Sequence, residues 1–283
     1  WELSSVRTPF LVVIPTLYFS AVERFTWEGR SMVENKTLWL RAAKVSKHFG
    51  AVLALEAIDV NIRLGQVLAL VGDNGAGKST LVKLLSGAHA PSGGEIMIDD
   101  HPVSIESPGK ARQLGIATIF QELALVENLT VYENIFLGRE MTRPILGLPI
   151  LDKKRMRNRV VQLIEELGSH LSSPSALVSD LSGGQRQAVA IARAIDLETK
   201  LVIMDEPTAA LAVAETRKVL RLIEQLRDNG RAVLLVSHNL NDVFEVADRI
   251  MVLRRGRKVA ECERSETDLE EVVSWITGAK PGP

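Results

Sequence analysis

The chain of 283 residues carries a single cysteine, Cys262, so neither an intramolecular disulfide nor a thiolate-rich metal site can form within it. No neighbour of Cys262 suggests an activated thiolate, and the residue reads as a packing or surface position in a reducing compartment. Long hydrophobic runs are also missing: no stretch comes near the roughly 18 to 20 apolar residues that a membrane-spanning helix needs. Any membrane role is therefore expected to be peripheral. Net charge is nearly absent, at −1, which gives no global attraction for nucleic acid or for an anionic surface and leaves only local patches to consider. There is no internal repeat and no low-complexity tract. What remains is an ordinary soluble composition, 46% hydrophobic and 24% charged, long enough for one large domain with appendages.

The first residues stand apart. The apolar run 10–21 (FLVVIPTLYFSA) is short, contains Pro15 and lacks a small-residue cleavage site, so it reads poorly as a signal peptide. The chain opens on Trp1, and Met32 precedes the first segment with a regular pattern. Residues 1–36 are accordingly set aside as an N-terminal extension, with 1–31 read as upstream sequence; a family-specific extension, or an apolar clip touching the domain or a membrane, is the alternative.

From residue 38 short apolar runs alternate with helical patterns, which predicts an α/β fold with a mostly parallel sheet. Strands are expected at 38–45, 58–62, 67–71, 95–98, 116–120, 201–204, 232–236 and 250–253, with turns at Gly93-Gly94 and Arg255-Gly256. Several runs are apolar throughout, as in central strands buried on both faces, and ligands should bind at their carboxyl ends. Between residues 122 and 180 strand signals stop, predicting a helical insertion, and Thr267-Asp268-Leu269-Glu270 reads as a capping box opening a last small helix with Leu269, Val272, Val273 and Ile276 on its apolar face.

Chemistry enters at Gly72-Asp73-Asn74-Gly75-Ala76-Gly77-Lys78-Ser79-Thr80. The segment fits G-x-x-x-x-G-K-[ST], with a strand before it and a helix opening after it. Its glycines let backbone N–H groups curl around phosphate oxygens, Lys78 brings a point charge to the β and γ phosphates, and Ser79 can hold Mg²⁺. The residues 201–204 (LVIM) then place Asp205 and Glu206 at the end of a buried strand. A metal relieves the cost of two acids there: Asp205 acts on Mg²⁺, and Glu206 polarises the water that attacks the γ-phosphate. A third motif, LSGGQRQ at 181–187, reads first as a helix start, with Ser182 as cap and Gln185 completing the box. Gly183 and Gly184 weaken that start but open its N–H groups to an anion.

The phosphate loop alone fits a kinase, a GTPase or a helicase equally well. In this order, loop, LSGGQ and LVIMDE resemble the nucleotide-binding domain of ATP-binding cassette (ABC) proteins over roughly residues 38–278. The resemblance implies a P-loop NTPase of the ABC ATPase type, with a mostly parallel core sheet, an antiparallel β subdomain and a helical insertion, occupying 37–283 with the helical part at about 122–184. It implies adenine stacking on Phe49, Gln121 reaching Mg²⁺ and the attacking water, and His238 contacting the γ-phosphate. It also implies two chains head to tail, Ser182 and Gly184 of one closing on ATP held by Lys78 of the other. Gly72, Asn74, Gly75, Ala76, Gly77, Thr80, Gly183 and Gln185 complete the expected nucleotide contacts. One departure is Ala212, where many members carry aspartate, which puts communication across the dimer in doubt. His48, His101 and His170 read as ordinary surface or loop positions.

No sustained heptads separate the phosphate loop from LSGGQ, unlike chromosome-maintenance relatives, and a single cassette is present, unlike most translation factors. A transporter motor is favoured over a soluble ABC ATPase. The segment 120–140, with Phe120-Gln121-Glu122-Leu123 and Glu133-Asn134-Ile135-Phe136, is similar to ATPases of bacterial carbohydrate importers of the ribose, xylose or fructose type. That similarity implies a permease, a solute-binding protein acting through it, a homodimer of ATPase subunits, no nucleic acid, and a peripheral position on the cytoplasmic face of a bacterial inner membrane. Import of another small solute is the alternative, and a tandem chain cut short also fits.

Overall fold

The computed structural model describes residues 37–120, 123–145, 148–167, 173–195, 198–209 and 211–282, which belong to one unit, Lys36–Pro283. The expected N-terminal extension lies outside the described residues, as do Gln121 and His170.

Six strands form the central sheet, in the order β12 (Arg257–Glu263), β11 (Arg249–Arg254), β3 (Val67–Val71), β10 (Ala232–Val236), β9 (Leu201–Asp205), β6 (Ile116–Ile119). All neighbours run parallel except β12, which folds back on β11 through the turn at Arg255 (φ 50°) and Gly256 (φ 78°). The runs are uninterruptedly apolar because both faces are covered. In β3, Val67, Ala69 and Val71 enter one core while Leu68 and Leu70 enter the other. The first core receives α3 (Val131–Phe136), α4 (Lys153–Glu166), α5 (Gly183–Ala194), α6 (Val213–Asp228), α7 (Leu240–Val246) and α8 (Leu269–Thr277). The second receives α1 (Lys78–Leu85), α2 (Pro108–Gln113) and a four-stranded antiparallel sheet ordered β2 (Val52–Arg63), β1 (Leu38–Phe49), β4 (Gly93–Ile98), β5 (His101–Val103).

Four sequence expectations need correction. Both β1 and β2 run for 12 residues, longer than their apolar segments, because alternate residues face solvent. Gly93 and Gly94 are no turn but the start of β4; at Gly94 (φ +80°) a Cβ would meet the Lys44 carbonyl oxygen at 2.4 Å, so glycine permits a close strand approach there. The region 122–180 is not purely helical, since β7 (Thr142–Ile145) and β8 (Leu148–Leu151) pair in it as a hairpin. Their prolines and lack of a buried face erased the strand signal. Finally, α8 is capped by Asp268, whose side chain accepts from the Glu271 amide, one residue later than the box read from sequence, and Val272 and Trp275 are the residues it buries while Leu269 and Val273 stay exposed.

Candidate active site

The loop 72–77 leaves the carboxyl end of β3 and enters α1, with φ of +148° at Gly72, +80° at Gly75 and +109° at Gly77. The three glycines answer different demands. A Cβ at Gly75 would meet open space, so only its backbone conformation requires glycine; at Gly72 it would strike the Leu253 carbonyl oxygen at 2.2 Å, and at Gly77 the Leu55 side chain at 2.6 Å. The loop is gripped from behind: Gly256 donates its N–H to the Ala76 carbonyl (2.9 Å), and the Gly256 carbonyl accepts from the Glu56 amide (2.8 Å). Lys78 is nearly buried, and its ammonium donates to the carbonyls of Gly72 (2.6 Å) and Asp73 (3.0 Å).

The loop faces a cleft of about 570 Å³ whose other walls are Val52, Leu53 and Ala54 of β2, the turn Arg255-Gly256, and Asp205 and Glu206 after β9. Parallel pairing of β9 with β10 puts Asp205 beside Val236, so both strands deliver their carboxyl ends to the same place. Half-burial, with Glu206 beside it, raises the proton affinity of the Asp205 carboxyl, while the nearby charge of Lys78 opposes that rise. Glu206 holds a left-handed backbone (φ 53°), which a non-glycine residue adopts at a cost, and its N–H bonds the Val236 carbonyl at 2.9 Å. The strained turn aims the carboxylate at the loop after β10. There Glu206 Oε2 lies 2.7 Å from His238 Nδ1 and accepts from the His238 amide at 3.3 Å; the glutamate side chain is 15% exposed and the histidine 70%.

The sequence-predicted residues therefore divide. Asn74, Gly75, Gly77, Lys78, Ser79, Thr80, Asp205 and Glu206 line one cleft, and His238 joins it through Glu206. Phe49 stands 44% exposed at the end of β1, with its ring edge-on to His89 at 5.4 Å and the Lys47 ammonium 5.2 Å from its centroid. His89, Val52, Leu53 and Arg255 were not singled out from the sequence; Arg255-Gly256 read only as a turn.

The LSGGQ residues form a cap at the start of α5. Ser182 accepts from the Gln185 amide while the Gln185 side chain accepts from the Ser182 amide, a complete capping box. The pair Gly183-Gly184 does not line the cleft of its own chain; it packs against Leu211 and Glu215 at the start of α6, where a Cβ on Gly183 would meet both side chains at 2.9 to 3.0 Å. Ala212 is the N-cap of α6 and supplies no capping side chain. Asn134, which the sequence offered only as part of a longer segment, is wholly buried: it accepts from the Val126 amide and donates to the carbonyls of Val126, Leu129 and Thr130. Cys262 is half-buried, and burial together with nearby Glu271 pushes its thiol up to about 11.

Known proteins resemble this chain in sequence and in fold. The model of the ABC transporter family matches residues 55–209. The xylose/arabinose import ATP-binding protein XylG of Sulfolobus acidocaldarius is 47% identical over 84% of this chain and 93% of its own length. The fructose import ATP-binding protein FrcA of Rhizobium meliloti is 44% identical over 86% of this chain and 95% of its own. The ribose import ATP-binding protein RbsA of Chromobacterium violaceum is 45% identical over 84% of this chain but only 47% of its own length, so the chain spans about half of that relative. A crystal structure of a nucleotide-free ATP-binding cassette from an ABC transporter superposes with a TM-score of 0.73 at 26% identity, covering 84% of this chain and 98% of the other. A dimeric cassette in a post-hydrolysis state, bound to ADP and Pi, gives 0.65 at 27% identity over 80% and 98%. With the phosphate loop, the acidic strand end and the capped LSGGQ helix in one α/β unit, this chain belongs to the ABC transporter family.

Proposed function

We propose that this chain is the ATP-hydrolysing subunit of an importer and energises uptake of a sugar. The observation that carries the hydrolytic half is the Glu206–His238 pair held at the cleft of the phosphate loop. The sugar half rests on full-length similarity to proteins named for xylose/arabinose and fructose import.

In this reading the N–H groups of 74–79 and the Lys78 ammonium hold the phosphates, Phe49 meets the adenine, and Glu206 takes the proton of the attacking water while His238 steadies its carboxylate. No covalent intermediate forms. The Ser79 hydroxyl and Asp205 carboxylate border the same cleft, an all-oxygen donor set suited to a hard cation. Mg²⁺ held by Ser79 and Asp205, with Gln121, neutralises phosphate charge when bound. The cassette, 37–283 with its helical part at 122–184, works as a homodimer in which Ser182, Gly183, Gly184 and Gln185 of one chain close on the ATP of the other. Similarity to proteins named for sugar import supports a separate permease with a solute-binding protein behind it, and an ATPase on the membrane's cytoplasmic face. Among the described residues no helix is long and apolar enough to cross a membrane.

Affinity purification from native membranes, with partners identified by mass spectrometry, tests the importer reading. A permease and a sugar-binding protein are expected. Recovery of DNA-repair or ribosomal partners in their place would overturn it.

A further inference from the structure

Between α3 and α4 the chain runs out into the β7–β8 hairpin, and every residue of its two strands is exposed. Four of them, Ile145, Leu148, Ile150 and Leu151, are large and apolar, with Leu148 63% exposed; the strand register puts Ile145, Leu148 and Ile150 on one face and Leu151 on the other. A two-stranded hairpin without a core beneath it is marginal in water, and a contiguous apolar patch on a surface marks a place of interaction. The base of the hairpin is closed by the Asp152 amide donating to the Met141 carbonyl at 2.8 Å, and Asp152 is also the N-cap of α4. Hairpin and helix start are thus contiguous.

The first turn of α4 is Lys153, Lys154 and Arg155, with no acid among them. Cations at a helix N-terminus face the partial positive charge of its N–H groups and destabilise the helix. In contrast, α3 opens with Glu133 and α8 with Glu270 and Glu271, as the helix dipole favours. The helices α1, α2 and α5 also open without an acid, but α4 alone among the described helices opens on three consecutive cations. Within 142–159 six basic residues stand against one acid, although the whole chain has a net charge of −1. Arg143, Lys153, Lys154 and Arg155 are exposed, and among the described residues none forms an ion pair with a carboxylate.

Apolar side chains beside a cluster in which cations outnumber acids match the chemistry of a bilayer surface with anionic headgroups, where the former enter the acyl boundary and the latter meet phosphates. We propose that the β7–β8 hairpin and the first turn of α4 form a docking surface for an anionic lipid bilayer. A thin hairpin exposed on both faces suits entry into a soft interface better than seating in a shaped protein groove. The inference goes beyond the importer reading and stands on this segment's own chemistry.

Co-sedimentation of the full chain with phosphatidylcholine vesicles, with and without phosphatidylglycerol, tests it. Binding to the phosphatidylglycerol vesicles alone is expected, weakening as salt rises. The triple variant Lys153→Gln, Lys154→Gln, Arg155→Gln should lose on the order of a hundredfold in binding, since each basic residue near such a surface contributes roughly fivefold. The double variant Leu148→Ser, Ile150→Ser should bind more weakly with unchanged salt dependence. Neither should alter ATP hydrolysis in solution, which shows that the fold is intact. Absence of wild-type binding, equal binding to both vesicles, or wild-type binding by the triple variant would each overturn the proposal.

Discussion

Glu206 and His238 face each other at 2.7 Å between carboxylate oxygen and ring nitrogen, and the His238 amide bonds the same oxygen. A glutamine can still accept both bonds but cannot take a proton. Glu206→Gln is therefore expected to keep nucleotide affinity within a few-fold and to lose roughly 10²- to 10⁴-fold in turnover. Lys78→Ala should instead weaken nucleotide binding itself. Phosphate release and nucleotide titration separate the two, and wild-type turnover in the glutamine variant would remove Glu206 as the base.

Asp205 makes a prediction about pH. Its carboxyl holds its proton more tightly folded than unfolded, because burial and Glu206 disfavour the charge. Stability attributable to this group is thus highest below its ordinary value of 3.8, falls as pH rises through the higher folded value, and stays reduced at neutral pH. Asp205→Asn should raise the Tm of the nucleotide-free protein near neutrality, and the gain should vanish below that ordinary value. A Tm gain independent of pH would contradict this origin.

Asn134 binds the backbone at Val126, Leu129 and Thr130 from a fully buried position. Truncation to alanine strands several backbone groups away from water, so Asn134→Ala should cost about 2–4 kcal/mol in denaturant unfolding. A loss near zero would mean that water replaces the amide.

Ala212 has extended N-cap geometry (φ −68°, ψ 154°) and no capping side chain. Ala212→Asp should stabilise the chain by about 0.5–2 kcal/mol, measured as an upward shift of the unfolding midpoint. If the aspartate common in relatives also couples two chains, the same variant will change the cooperativity of ATP hydrolysis; a gain in stability alone assigns the position to the helix.

The sequence displayed its chemistry more openly than its architecture. Gly72, Lys78, Ser79, Asp205 and Glu206 were legible because phosphate binding couples residue type to spacing and to a strand end. The central strands were legible because burial on both faces leaves continuous apolar runs. The antiparallel sheet was less so: β1 and β2 alternate buried with exposed residues, and Lys44 and Ala57 adopt positive φ beside register shifts that blur the pattern. β12 carries Arg257, Lys258, Glu261 and Glu263, which hide an edge strand among charges. Arg255 could have been found only by knowing that its turn folds back onto the phosphate loop.

That fold-back also has a consequence for the order of events during synthesis. Residues 72–80 leave the ribosome early, yet the hydrogen bond from Gly256 that braces Ala76, and the bond from Glu56 that ties the same turn to β2, need the far end of the chain. Contacts so distant in sequence form late, after the entropy of closing a long loop has been overcome. A nascent chain can thus display the entire phosphate-loop motif before that brace is in place. The brace that Gly256 gives the phosphate loop therefore arrives only with the β11–β12 turn.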